Sequence, residues 1–156
     1  MHSAFGAPSA LKLSGSVRAR YETIDGQPRP GFNASDELIG IRTILSAEYS
    51  FANFRIGAEM YDSRSYLGDV RSPVTTGEVN AAEFPQLYVA GDFENLFGSG
   101  LSSTVHVGRL MLNLGSRRLV AADDYRNTTS GYTGTRIDLK RKAGGSMILI
   151  YTLPQR

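Results

Sequence analysis

The sequence has no cysteine, which excludes a disulfide-stapled fold and any metal site built on thiolates. That absence also suits a chain that passes through an oxidising periplasm. No apolar run reaches the roughly 18 residues that a membrane-spanning helix needs, so such a helix is ruled out. Met1-His2-Ser3 lacks the apolar core of a secretory signal, and a secreted form is expected to have its signal removed or outside this sequence. Histidine is confined to His2 and His106, and no Gly-x-Ser-x-Gly elbow occurs, so an enzyme is not expected. Lysine is scarce: of the 17 basic residues only Lys12, Lys140 and Lys142 are lysines, and the others are arginines. Without a Lys-rich stripe, a nucleic-acid partner is not expected. No cofactor or metal motif is present either. Asp123-Asp124 beside Asn127 offers oxygen ligands of the kind calcium takes, but an ordinary solvated loop explains them better.

What the 156 residues do contain is enough apolar material, 41%, for one domain with either a soluble core or a lipid-facing band. Seventeen glycines, eight tyrosines and seven phenylalanines favour β-structure with many turns. Residues 1–10 are small and polar and read as a flexible lead-in. From Leu11 to Glu22 the pattern becomes strictly alternating. Leu11, Leu13, Gly15, Val17, Ala19 and Tyr21 share one face, and Lys12, Ser14, Ser16, Arg18, Arg20 and Glu22 share the other. A tilted membrane-spanning strand needs alternation over roughly 9 to 11 residues.

The same period returns in Leu38–Tyr49, from Phe54 to about Arg64, in Phe84–Phe93, from about Ser103 to Arg109, in Thr135–Arg141 and in Met147–Leu153. Near Arg109 the parity breaks, and a bulge at Gly108 is the expected cause. The links Thr23–Glu37, Ser65–Glu83 and Gly115–Gly134 are long and rich in turn formers, whereas Ser50–Asn53, Glu94–Ser102 and Lys142–Gly145 are short. Strict alternation of long loops with short turns is the plan of an outer-membrane barrel. Aromatics agree: Tyr21, Tyr66, Phe84 and Tyr132 fall near the long-loop ends, and Tyr49, Phe51, Phe54, Phe93 and Phe97 near the short-turn ends, as two interfacial girdles would.

The expected fold class is therefore all-β: an antiparallel up-and-down transmembrane β-barrel, here about seven strands of an incomplete one. Seven strands do not close a bacterial barrel, and an open sheet edge in lipid leaves amides unpaired. A curved sheet with two free edges, or a forced closure with poor pairing of the first and last strands, follows from that.

One stretch carries a family resemblance. Between Val107 and Thr128 come Gly108-Arg109, Leu114-Gly115, Arg117-Arg118-Leu119-Val120 and Arg126-Asn127. That order resembles the alginate-export family of bacterial outer-membrane β-barrels. Arg18-Ala19-Arg20-Tyr21-Glu22 and Glu59-Met60-Tyr61-Asp62-Ser63-Arg64 look like the same family in the same order. The resemblance implies a bacterial outer-membrane location, with residues 11–156 as the N-terminal portion of a single, longer barrel domain. It also implies transport of an anionic, alginate-like polysaccharide, with outer-membrane lipid around the barrel and room for a periplasmic export partner.

If the apolar faces meet lipid, the other faces line a lumen. The side chains expected near mid-height are Arg18, Arg42, Glu59, Tyr88, Arg109 and Asp138, joined by Arg20, Arg126 and Arg136 as substrate-binding candidates. Guanidinium groups in a narrow pore attract a polyanion and offer its carboxylates planar contacts, while interleaved acids keep each contact from becoming a trap. The same charges could instead pair across strands and stiffen the wall. The competing functions are a general porin for small solutes and a soluble β-barrel binding protein.

Overall fold

The computed structural model describes residues 10–72, 78–96, 100–116, 120–122 and 126–155. They form seven strands: β1 (Leu11–Ile24), β2 (Asp36–Phe51), β3 (Phe54–Tyr66), β4 (Asn80–Leu96), β5 (Leu101–Leu110), β6 (Tyr132–Arg141) and β7 (Ser146–Pro154). All lie in one antiparallel sheet in sequence order, and β1 and β7 are its two edges rather than neighbours. The open outcome is thus the one realised. Each expected strand is present, extended by a few residues at one or both ends.

Alternation decides the register. Leu13 lies opposite Ala47, Ala47 opposite Ala58 and Ala58 opposite Leu87, so one face stays apolar across four strands. On the other face Arg18 lies opposite Arg42, and Arg42 opposite Ser63. A slip by one residue would exchange every side chain between faces, so the alternation excludes odd-numbered slips. The only described breaks are in β3–β4, around Tyr61 and Ser63, and in β4–β5, between Phe93 and Leu96.

Connections 25–35, 67–79 and 111–131 lie at one rim, and 52–53, 97–100 and 142–145 at the other. The first two long connections are tied together. Asp36 Oδ1 accepts from the Glu37 amide at 2.9 Å and the Asp69 amide at 3.2 Å, and Asn33 Nδ2 donates to the Val70 carbonyl at 2.8 Å.

Burial is the reverse of that in a water-soluble sheet. Val17 is 73% exposed, Val107 52% and Leu149 47%, all on the apolar face. Meanwhile Ser63, on the polar face, is fully buried, and Arg18, Arg20 and Arg42 are half-buried. A soluble sheet hides its apolar face; this arrangement suits one that meets hydrocarbon.

The aromatic belts are largely in place. Tyr49, Phe51 and Phe54 stack in series at the short-turn rim, with centroid separations of 6.1 and 5.8 Å. Tyr21, Tyr66 and Phe84 are exposed toward the other rim. Tyr132 is the exception, because it shares the parity of Gly134 and Arg136 and lies opposite Leu110. Phe97 falls outside the described residues.

Candidate functional site

The polar face divides into two halves. Toward the short turns it is an ion-pair lattice that crosses strands. Arg55 on β3 grips Asp92 on β4 with Nε and Nη2, both at 3.0 Å, and Thr104 on β5 donates to Asp92 Oδ1 at 2.7 Å. Arg136 on β6 makes the same two-pronged contact with Asp138, at 2.9 and 2.7 Å, and His106 Nδ1 lies 3.8 Å from that carboxylate. Two parallel N–H···O bonds to one carboxylate fix orientation as well as charge.

Tyr88 joins β4 to β2 across β3. Its hydroxyl donates to Glu48 Oε2 at 2.9 Å, and Lys12 Nζ donates to Glu48 Oε1 at 3.2 Å. The bridge is possible because Gly57 lies in register between them, where a Cβ would overlap the Tyr88 ring. The Tyr88 ring also meets His106 edge-on, with centroids 5.6 Å apart. Glu59, one step further along β3, accepts from Ser46 Oγ at 2.6 Å and Gln86 Nε2 at 3.3 Å.

Toward the long loops the arrangement changes. Arg18 and Arg42 are directly opposite each other, a placement in which like charges repel. Both point at one neutral acceptor: the Arg126 carbonyl takes Arg18 Nη2 at 3.0 Å and Arg42 Nη1 at 3.3 Å. The Arg42 guanidinium also lies 5.6 Å from the centroid of the Tyr61 ring. Among the described residues Arg42 has no carboxylate partner. Arg20 differs, with Glu22 Oε1 at 3.0 Å and Glu78 Oε2 at 3.4 Å.

The expected site residues therefore separate. Arg18, Arg20, Arg42, Glu59, Tyr88, Arg136 and Asp138 all lie on the polar face. Arg126 reaches it through its main-chain carbonyl. Arg109 does not lie there. Pairing runs through Val107, Gly108 and Arg109 on both sides without a shift, so the expected bulge at Gly108 is absent and Arg109 takes the apolar-face parity of Val105 and Val107. Its Nη1 donates to the Phe84 carbonyl at 3.0 Å. Gly108, with φ of +134°, lets the backbones of β4 and β5 approach so closely that a Cβ would strike the Leu87 carbonyl; the glycine preserves pairing instead of breaking it.

Several contributors have no local signal. Glu48, Arg55 and Asp92 look in sequence like ordinary polar members of alternating strands, and their importance comes from cross-strand neighbours. Asn127 is the largest omission. It is 1% exposed, and no periodicity marks it. Arg117, Arg118, Asp123 and Asp124 lie outside the described residues.

A family model described as alginate export matches residues 9–155. Comparison with curated proteins and with solved structures gives no match.

Proposed function

The chain belongs to the alginate export family, and from that premise we propose that its polar face lines part of an outer-membrane channel conducting an anionic, alginate-like polysaccharide. The observation that carries the reading is the cross-strand pair Arg18 and Arg42, two guanidinium groups facing each other and sharing one neutral carbonyl. A guanidinium on a partly dehydrated wall presents a planar donor fork to a carboxylate. Arg20 and Arg136 lie on the same face with carboxylate partners, Arg126 contributes its carbonyl, and Glu59 and Asp138 interrupt the basic character. A polyanion is attracted without being held, as conduction requires. Outer-membrane lipid contacts the opposite, apolar face.

In the intact protein, reconstituted in planar bilayers, Arg42→Ala should shift the reversal potential away from anions and reduce uronate-oligomer flux, while heat-modifiable gel mobility stays unchanged. Unaltered anion preference with a lowered unfolding temperature would make the arginine a wall staple. A general porin is the second reading. It is favoured by the short-turn half of the face, where Lys12, Arg55 and Arg136 each have a carboxylate partner. That reading requires nearly equal anion and cation permeability and no block by uronate oligomers.

A further inference from the structure

In the connection between β5 and β6, Arg126 and Asn127 lie over the polar face. Asn127 is where it is fastened. The side-chain Nδ2 lies 3.1 Å from the Ile41 carbonyl on β2, 3.1 Å from the Arg64 carbonyl on β3 and 2.9 Å from the Glu78 carbonyl in the link before β4. Its own carbonyl accepts from the fully buried Ser63 Oγ at 2.6 Å. Gly40 lies beneath it, and a Cβ there would be 3.8 Å from the Asn127 amide. An amide suits this place because its NH₂ group donates to the surrounding carbonyl oxygens. A carboxylate would repel them.

Asn127 follows the one carbonyl on which Arg18 and Arg42 converge. The latch and the arginine pair are thus adjacent in the chain. We infer that Asn127 is a positioning residue: it pins an inward-folded segment that narrows the channel and holds the Arg18 and Arg42 guanidinium groups at one height, thereby setting both pore size and anion selectivity. Without the pin, the Arg126 carbonyl leaves, the facing guanidinium groups separate, and the constriction widens. The inference rests on the channel reading above.

The test uses the intact protein in planar bilayers. Asn127→Ala should raise single-channel conductance severalfold and weaken anion selectivity in the same channels. A second variant, Gly40→Cys with Asn127→Cys, replaces the hydrogen-bonded pin by a reversible covalent one in a stretch of 156 residues that has no other cysteine. Oxidised, it should conduct like the parent; reduced, it should conduct like Asn127→Ala. A merely structural role would lower the unfolding temperature and leave selectivity unmoved. Oxidised and reduced forms of the double variant with equal conductance and selectivity would overturn the inference, even if Asn127→Ala failed to fold. A parent protein that forms no ion-conducting channel would instead overturn the functional reading on which it rests.

Discussion

The two halves of the polar face solve the same problem, half-buried arginine, by different means. Near the short turns, Arg55 and Arg136 each meet a carboxylate through two hydrogen bonds, and the charges cancel locally. Near the long loops, Arg42 meets a carbonyl and an aromatic face. The first arrangement uses the guanidinium forks fully, whereas the second leaves Arg42 Nε without an acceptor and its positive charge without a carboxylate among the described residues. A carbonyl dipole relieves a guanidinium without neutralising it, so the surroundings of Arg42 keep a field that a polyanion would feel, and those of Arg55 and Arg136 do not. In the proposed channel, that difference would separate residues that build the wall from residues that act on what passes it.

Reversing charge at the long-loop half tests that separation most severely. Arg18→Glu combined with Arg42→Glu should change the anion-to-cation permeability ratio by roughly a hundredfold, within the range over which charged clefts concentrate their counter-ions. Raising ionic strength from about 0.1 M to 1 M shortens the screening length from about 10 Å to about 3 Å, and the difference from the parent should shrink accordingly. The same double reversal at Arg55 and Asp92, which conserves net charge, should leave the ratio nearly unchanged. Equal responses at the two places would erase the distinction.

Packing under Tyr88 is the next largest effect. Gly57→Ala forces the ring away from its place over β3 and breaks the bond to Glu48. Overpacking of this kind costs about 2 kcal/mol. The loss should appear as a lower denaturation midpoint in detergent micelles, with ion selectivity intact. Tyr88→Phe removes only the hydroxyl and should cost about 1 kcal/mol. A neutral Gly57→Ala would mean that the ring contributes no rigidity to the short-turn half.

A smaller change is expected from Asp92→Ala. The carboxylate is 43% exposed, so its two-pronged contact is screened by water despite good geometry. About 1 kcal/mol or less is the expected destabilisation. Because Arg55 then loses its main partner, anion selectivity should rise slightly, and that rise in reversal potential distinguishes an unmasked charge from a simple loss of stability.

What could be read from the sequence was whatever depends on neighbours one or two residues apart. Period-2 alternation marks Leu11 to Glu22 as a strand and assigns Arg18 and Arg20 to one face, because the pleat itself has that period. It undershoots β4, which starts at Asn80 instead of Phe84: the register shifts around Tyr61 and Ser63, and Ala82 has φ of +52°, so the alternation is interrupted while pairing continues. Tyr88 over Gly57 and Arg55 with Asp92 required the strand register before they could be seen. Asn127 required more, since its partners Ile41, Arg64 and Glu78 are 86, 63 and 49 residues away. A loop has no period, and nothing in 111–131 indicates that one asparagine folds inward.

Arg109 gives the smallest expected effect and the sharpest check on face assignment. Its alternation with Val105 and Val107 places it on the apolar face, yet arginine in a lipid-facing position is costly unless its head group reaches polar surroundings. The contact with the Phe84 carbonyl supplies such a partner, with Phe84 itself among the exposed aromatics toward the long-loop rim. An anchor at the interface loses little when truncated, because its charge was already near water and headgroups. Arg109→Ala should therefore shift stability by roughly 0.5 kcal/mol or less and leave conductance, reversal potential and uronate flux at parental values. A selectivity loss comparable to that of Arg42→Ala would return Arg109 to the channel wall, and would require the pairing of β5 with β4 and β6 to shift by one residue beyond Val107.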